Sequence, residues 1–258
     1  VVGKGAAVTR FAEGEVIYAS PSIARNGAYA EFVLVDERTA ARKPESLSAV
    51  EAAALPLVTL TAWESLYERA RVLPGETVFI QGGAGGVGHV AIQLAHIHGC
   101  RVITTASRPE SIDLCKHCGA DLVIDYASED VVDRVKGATG GAGVPVAYDC
   151  VGGAALEQCL EALAMDGRAV GIVHTESDKL FPLMFARNAT LHAEFMGVRS
   201  IFGIDIEGQG RILAGAAELA DAGKLKAHVH RTIGLTDVAE GHRGLEDRHV
   251  MGKIVIEM

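Results

Sequence analysis

Residues 76–107 constrain this chain more than any other stretch. Thr77, Val78, Phe79, Ile80 and Gln81 make a short apolar run with β-branched members, which predicts a buried strand. Gly83, Ala84, Gly85, Gly86, Val87 and Gly88 follow at once with the spacing G-x-G-x-x-G. Val87, Val90, Ala91, Leu94 and Ala95 then recur at helical spacing up to the stop signal Gly99, and residues 101–106 predict a second strand. In such a unit the first glycine permits a tight turn. The second lets backbone amides approach a pyrophosphate, and the third lets the helix pack close to the strand. The helix N-terminus adds unpaired N–H groups and a partial positive charge. Residues 83–88 therefore predict a dinucleotide site, the alternative being a purely structural glycine turn.

The end of the second strand bears on which dinucleotide. An NAD site places Asp or Glu about 20 residues past the glycines, to hold the ribose 2′-hydroxyl. Here the strand ends Thr104, Thr105, Ala106, Ser107, Arg108, with a hydroxyl and a guanidinium but no carboxylate. Arg binds a 2′-phosphate through two charge-assisted hydrogen bonds, whereas a carboxylate repels one. NADP is the expected cofactor; otherwise Arg108 is an ordinary solvated loop charge.

With 258 residues, 49% of them hydrophobic, the chain has ample material for a core and for one or two domains. Its 30 glycines suit an α/β fold rich in tight turns. The net charge of −9 and the lack of a basic run argue against a nucleic-acid partner. No membrane partner is expected either, because no apolar run is long enough to span a bilayer. Cysteines at 100, 115, 118, 150 and 159 show no disulfide spacing, which suggests reduced thiols in a cytoplasmic protein.

Ahead of the glycine unit, residues 1–20 and the turn-plus-alternation of residues 26–35 predict short antiparallel strands. Residues 48–71 read as helical with a break near Leu55 and Pro56. Beyond it, strands are predicted at 122–125, 144–150, 168–173 and 189–196, and helices at 111–118, 128–136 and 155–165. This alternation means a doubly wound parallel sheet with right-handed crossovers. Residues 173–188 and 197–207 read as loops. A long helix at 205–222, a strand at 229–233, a short helix at 238–245 and a strand at 253–256 complete the chain. Cys115 and Cys118 make a C-x-x-C without a second ligand pair, so helix-packing thiols are expected. His89, His96 and His98 share one helix and are read as surface or packing residues. His174 ends the fifth strand, where it either faces a nicotinamide or is a plain loop histidine.

Several linked motifs carry a family resemblance over the whole chain. They are Phe11 with Gly14, Glu15 and Val16; Gly27 to Glu31; Leu55, Pro56 and Leu57 with Thr61, Ala62 and Trp63; Gly82 to Gly88; Gly119, Ala120 and Asp121 with Ile124, Asp125 and Tyr126; and Gly252, Lys253 and Ile254. The sequence resembles the medium-chain dehydrogenase/reductases, and most of all their zinc-independent quinone oxidoreductase (zeta-crystallin-like) branch. The resemblance implies an α/β Rossmann domain, residues 56–196, inserted in a GroES-like β-rich catalytic domain formed by residues 1–55 and 197–258. It also implies that the chain starts inside the catalytic domain. Such a chain is expected to bind cofactor yet reduce substrate poorly.

Zinc-dependent members place a Cys ligand four residues before the helix threonine. Here that position is Leu57, which cannot ligate a metal, so no catalytic zinc of that type is expected. The resemblance puts Thr61 near the nicotinamide. It counts Gly83, Ala84, Gly85, Gly86, Val87, Gly88, Ser107, Arg108 and Tyr126 among the cofactor-binding residues. It sets Val151, Gly152, Gly171, Ile172, Phe195 and Met196 along the cofactor cleft, and Arg248 near the pyrophosphate. The activity implied is NADPH-dependent hydride transfer to a quinone or an α,β-unsaturated carbonyl. A cofactor-binding protein without turnover, crystallin- or sensor-like, and a zinc alcohol dehydrogenase relative are the rivals. A homodimer is expected, formed by pairing of the sixth strand across a two-fold axis.

Overall fold

Short strands open the chain. In the computed structural model, which describes residues 1–25, 28–247 and 250–258, β1 (Ile17–Ala19) pairs antiparallel with β2 (Ala40–Arg42). The alternation over residues 28–35 forms no strand, contrary to the sequence expectation. A strand needs a partner for its row of N–H and C=O groups, and among the described residues no ladder runs beside this one. Phe32 and Leu34 are accordingly exposed. The predicted turn at Asn26 and Gly27 lies outside the described residues. Ser48 then starts α1 (Ala49–Ala53) with a capping box, its hydroxyl and the Glu51 carboxylate each satisfying the other's backbone N–H. Next, α2 (Pro56–Trp63) runs into a π-helical turn, Glu64–Arg69.

The elements up to α1 belong to a unit made of Val1–Leu60 and Met196–Met258, while Thr61–Phe195, which takes in the end of α2 and the π-helical turn, forms a second unit. The second is built on a six-stranded parallel sheet. Its strands are β3 (Thr77–Gln81), β4 (Arg101–Ala106), β5 (Leu122–Asp125), β6 (Val144–Asp149), β7 (Leu163–Gly171) and β8 (Thr190–Ala193), in the order β5-β4-β3-β6-β7-β8. The crossovers are α3 (Gly88–Ile97), α4 (Pro109–His117), α5 (Val131–Ala138), α6 (Ala154–Ala162) and α7 (Leu180–Arg187). A parallel sheet must be covered on both faces, and Val78, Phe79, Ile80, Val102, Ile103 and Tyr148 are indeed buried. The order reverses between β3 and β6's neighbours: β4 and β5 lie to one side of β3, and β6, β7 and β8 to the other. That reversal creates a switch-point crevice at the carboxyl edge.

Several boundaries differ from the sequence reading. The expected loop 173–188 contains α7, because Leu180, Leu183 and Met184 pack on the core formed by Phe79, Ile103 and Leu160. The expected loop 197–207 likewise contains a helix, α8 (Gly197–Phe202). The sixth strand stops at Ala193, so Phe195 and Met196 lie beyond it, and β7 begins earlier, at Leu163.

The remainder of the first unit is helical with one small sheet. A 3-10 turn, Glu37–Thr39, and β2 pack against α9 (Ile206–Asp221), and the buried Tyr18 hydroxyl donates to the Leu213 carbonyl at 2.5 Å. β9 (Val229–Gly234) pairs in parallel with β10 (Lys253–Glu257), and α10 (Val238–Glu246) connects them.

Candidate cofactor site

Every predicted site residue of the second unit except Thr61 follows the carboxyl end of a parallel strand or closes it. Gly83–Gly88 follow β3, Ser107 and Arg108 follow β4, Tyr126 follows β5, and Val151 and Gly152 follow β6. Gly171 closes β7, Ile172 and His174 come after it, and Phe195 comes after β8. The topology therefore brings them to one sheet edge.

The glycine loop fits a dinucleotide in detail. Gly85 N–H donates to the Gly82 carbonyl at 3.0 Å, closing the tight turn. A Cβ on Gly83 would collide with Thr104 Oγ1 and lie 2.9 Å from Cys115 Sγ, and one on Gly88 would overlap the Gly82 carbonyl. Gly88 is thus required by close backbone approach, and Gly83 by the side chains of Thr104, Cys115 and Ile92 packed against it. The cradle is held from below. Gly82 N–H donates to Thr105 Oγ1 at 3.0 Å, Thr105 Oγ1 donates to Gln81 Oε1 at 2.8 Å, and Gln81 Nε2 donates to Gln158 Oε1 at 2.8 Å. Val87 caps α3 without a side-chain hydrogen bond; His89 N–H donates to the Gly85 carbonyl at 3.2 Å and Val90 N–H to the Val87 carbonyl at 3.1 Å, so among the described residues the first-turn donor left for an anion is the Gly88 N–H.

At the β4 end, Arg108 is the half-buried N-cap of α4 and Pro109 fills the first helical position. Ser107 precedes it, half-buried, and Tyr126 is exposed. After β6, Asp149 accepts from Val151 N–H at 3.0 Å through Oδ1 and from Gly152 N–H at 2.9 Å through Oδ2. Burial pushes the Asp149 carboxyl upward against these two amides, which pull it down. After β7, a cleft of about 460 Å³ is lined by residues that include Leu156, Gly171, Ile172, His174, Glu194 and Phe195. His174 itself is 87% exposed and sits 3.4 Å from Glu176 Oε1. Glu194 is buried and accepts from Arg69 Nε at 2.6 Å. The π-helical turn, with its Ala70 N–H to Ser65 carbonyl bond of 2.9 Å, contains Arg69.

Thr61 is buried on α2. Met196 belongs to the first unit, where its carbonyl accepts from Gln209 Nε2 at 2.8 Å. Arg248 lies outside the described residues. Sequence reasoning passed over Gln81, Thr105 and Asp149, which shape the loops from behind. Only Asp149 left a signal, an Asp ahead of Gly152 and Gly153 at a strand end, which is the pattern of a turn closed by its own side chain.

The described residues do not fit a zinc of the dehydrogenase type. Leu57 stands where a thiolate is needed, and among the described residues no group of three or more His, Cys, Asp or Glu is placed to hold a metal. The C-x-x-C of α4 is no thiolate pair, since burial pushes Cys115 up to about 12 and Cys118 to about 11. Of the three histidines expected on one helix, His89 is buried on α3 and bonds the Gly85 carbonyl at 2.9 Å, and His98, the C-cap of α3, bonds the Val72 carbonyl at 3.0 Å.

Comparison with known proteins agrees with this geometry. A family model described as zinc-binding dehydrogenase matches residues 86–207. The zinc-type alcohol dehydrogenase-like protein SACOL2177 of Staphylococcus aureus is 30% identical over 98% of this chain and 78% of its own length. A phthioceranic/hydroxyphthioceranic acid synthase of Mycobacterium tuberculosis is 33% identical over 90% of this chain, which spans only 11% of that synthase. Among solved structures, the Pseudomonas syringae quinone oxidoreductase superposes with a TM-score of 0.89 at 28% identity, covering 100% of this chain and 79% of the other. Mycobacterial Rv1454c complexed with NADPH gives 0.88 at 30% identity, covering 99% and 78%. On its sequence match to full dehydrogenase-like chains and on its glycine cradle at a parallel sheet edge, the chain belongs to the medium-chain dehydrogenase/reductase superfamily.

Proposed function

We propose that this chain is an NADPH-dependent, zinc-independent oxidoreductase that delivers hydride to a quinone or an α,β-unsaturated carbonyl. One observation carries the reading: a glycine cradle in which Gly83 and Gly88 leave no room for a side chain, with Ser107 and Arg108 at the next strand end where a 2′-phosphate needs them. Gly83–Gly88 would hold the pyrophosphate, Arg108 with Ser107 the 2′-phosphate, and Val151, Gly152, Gly171, Ile172 and Phe195 the nicotinamide end. Once bound, the nicotinamide supplies the hydride. The chain's residues orient it and keep water from it. The NADPH-bound and quinone-reducing relatives support the cofactor and substrate class. Leu57 supports chemistry without zinc.

The test is NADPH oxidation followed at 340 nm with a panel of quinones and enals, beside saturated ketones and primary alcohols with NADP. Consumption with the first group alone is expected. Binding of NADPH without consumption favours a non-catalytic role, and activity that rises with added zinc overturns the zinc-independent reading.

A further inference from the structure

The loop after β6 is organised by a carboxylate that no ion pair accounts for. Asp149 is fully buried, and among the described residues no cation pairs with it. Its side-chain partners are the backbone amides of Val151 at 3.0 Å and of Gly152 at 2.9 and 3.1 Å. Its own carbonyl accepts from Ile172 N–H at 3.2 Å, so it also joins the end of β7.

These bonds fix two contacts at the sheet edge. Gly152 has φ +84°, and a Cβ there would lie 2.7 Å from Val173 Cγ1. Gly153 N–H donates to Thr175 Oγ1 at 2.9 Å, tying the loop to the chain beyond β7. On the other side, Val151 Cγ2 lies over the first residue of the glycine turn: a Cβ on Gly82, where φ is +75°, would be 2.8 Å from it. Val151 thus acts as a shim between the glycine turn and the ends of β6 and β7. Its backbone is placed by Asp149, because turning the Val151 and Gly152 N–H groups away breaks the hydrogen bonds that satisfy the buried carboxylate.

We infer that Asp149 is a positioning residue for the pyrophosphate and nicotinamide half of the bound dinucleotide, acting through Val151 on the glycine turn. The inference rests on the dinucleotide reading above and adds a residue to it. It assigns Asp149 no role in the adenosine half, which would lie at the far strand ends by Ser107, Arg108 and Tyr126.

Asp149→Asn keeps the shape but turns an amide NH₂ toward backbone N–H groups. We expect NADPH to bind roughly tenfold more weakly, the loss of about one charge-assisted hydrogen bond, while adenosine 2′-monophosphate binds as before. Titrations of both ligands on the same protein, with thermal melting alongside, read this asymmetry. Equal weakening of the two ligands, or no weakening of either, overturns the inference. Where Asp149→Asn does not fold, Val151→Ala decides: it removes the shim without burying a polar group, and it must weaken NADPH and spare the nucleotide. Parent protein that binds neither ligand overturns the dinucleotide reading and the inference with it. Parent protein that binds NADPH as tightly as the Asp149→Asn and Val151→Ala variants overturns the inference alone.

Discussion

At the scale of single residues, charge decides the sharpest expectations. Arg108 is the cation at the end of β4. A charge-assisted hydrogen bond contributes about 1.5–3 kcal/mol, so Arg108→Ala should weaken NADPH by roughly ten- to a hundredfold and leave NADH nearly unchanged. Dissociation constants for both cofactors in both proteins check this, and a parent that binds the two equally tightly defeats it. Arg69 and Glu194 make a different case. The Glu194 side chain is 0% exposed and that of Arg69 42%, so removing the arginine strands a buried carboxylate. Arg69→Met should lower stability by about 3 kcal/mol, the lower end for a broken buried pair because water still reaches one partner. Arg69→Met with Glu194→Leu should recover much of that loss. Urea midpoints of the two variants test it, and a double variant less stable than the single one contradicts it.

At the scale of elements, the sheet ends on β8, whose outer edge has no strand beside it among the described residues. The preceding helix α7, packed on β7 and α6, exposes Phe181 at 73% and Phe185 at 79%, their rings 6.0 Å apart. An unpaired edge invites pairing with another strand, and two large exposed aromatic rings favour a partner surface. We expect a homodimer joined through the β8 edges, with the α7 rings covered. Light scattering after gel filtration should report a dimer for the parent and a monomer for Phe181→Glu with Phe185→Glu. A monomeric parent at micromolar concentration rules the arrangement out.

At the scale of the whole molecule, burial controls the thiols. Desolvation pushes Cys100 to about 11, Cys115 to about 12 and Cys118 to about 11, and raises Cys150 and Cys159 as well. Because the folded state holds these protons more tightly than the unfolded chain, whose thiols titrate near 9, their contribution is complete below pH 9. It is lost as the pH rises toward 11 and 12. Urea midpoints should therefore fall between pH 8 and pH 10.5, a loss that Cys→Ala or Cys→Ser replacement at Cys115 and Cys118 reduces. The same burial should keep Cys100, Cys115 and Cys159 slow toward a disulfide reagent at pH 8 until the protein unfolds. Fast native-state labelling of Cys115 or Cys159 speaks against it.

The sequence by itself determined the β3–α3–β4 unit, the alternation of the parallel sheet and the glycine cradle, since periodicity, β-branched runs and glycine spacing are local properties. It placed β3, β4 and β5 residue for residue for the same reason: each is a short apolar run bounded by turn signals. What it did not determine depends on partners far along the chain. Residues 28–35 have the alternation of a strand and no ladder to join, while α7 forms in an apparent loop because the core around Leu160 covers its apolar face. The hydrogen bonds of Gln81, Thr105 and Asp149 beneath the loops were decided only by tertiary structure. Each joins a residue to groups that the crossovers deliver to it, and a linear pattern carries no record of which strand end will be its neighbour.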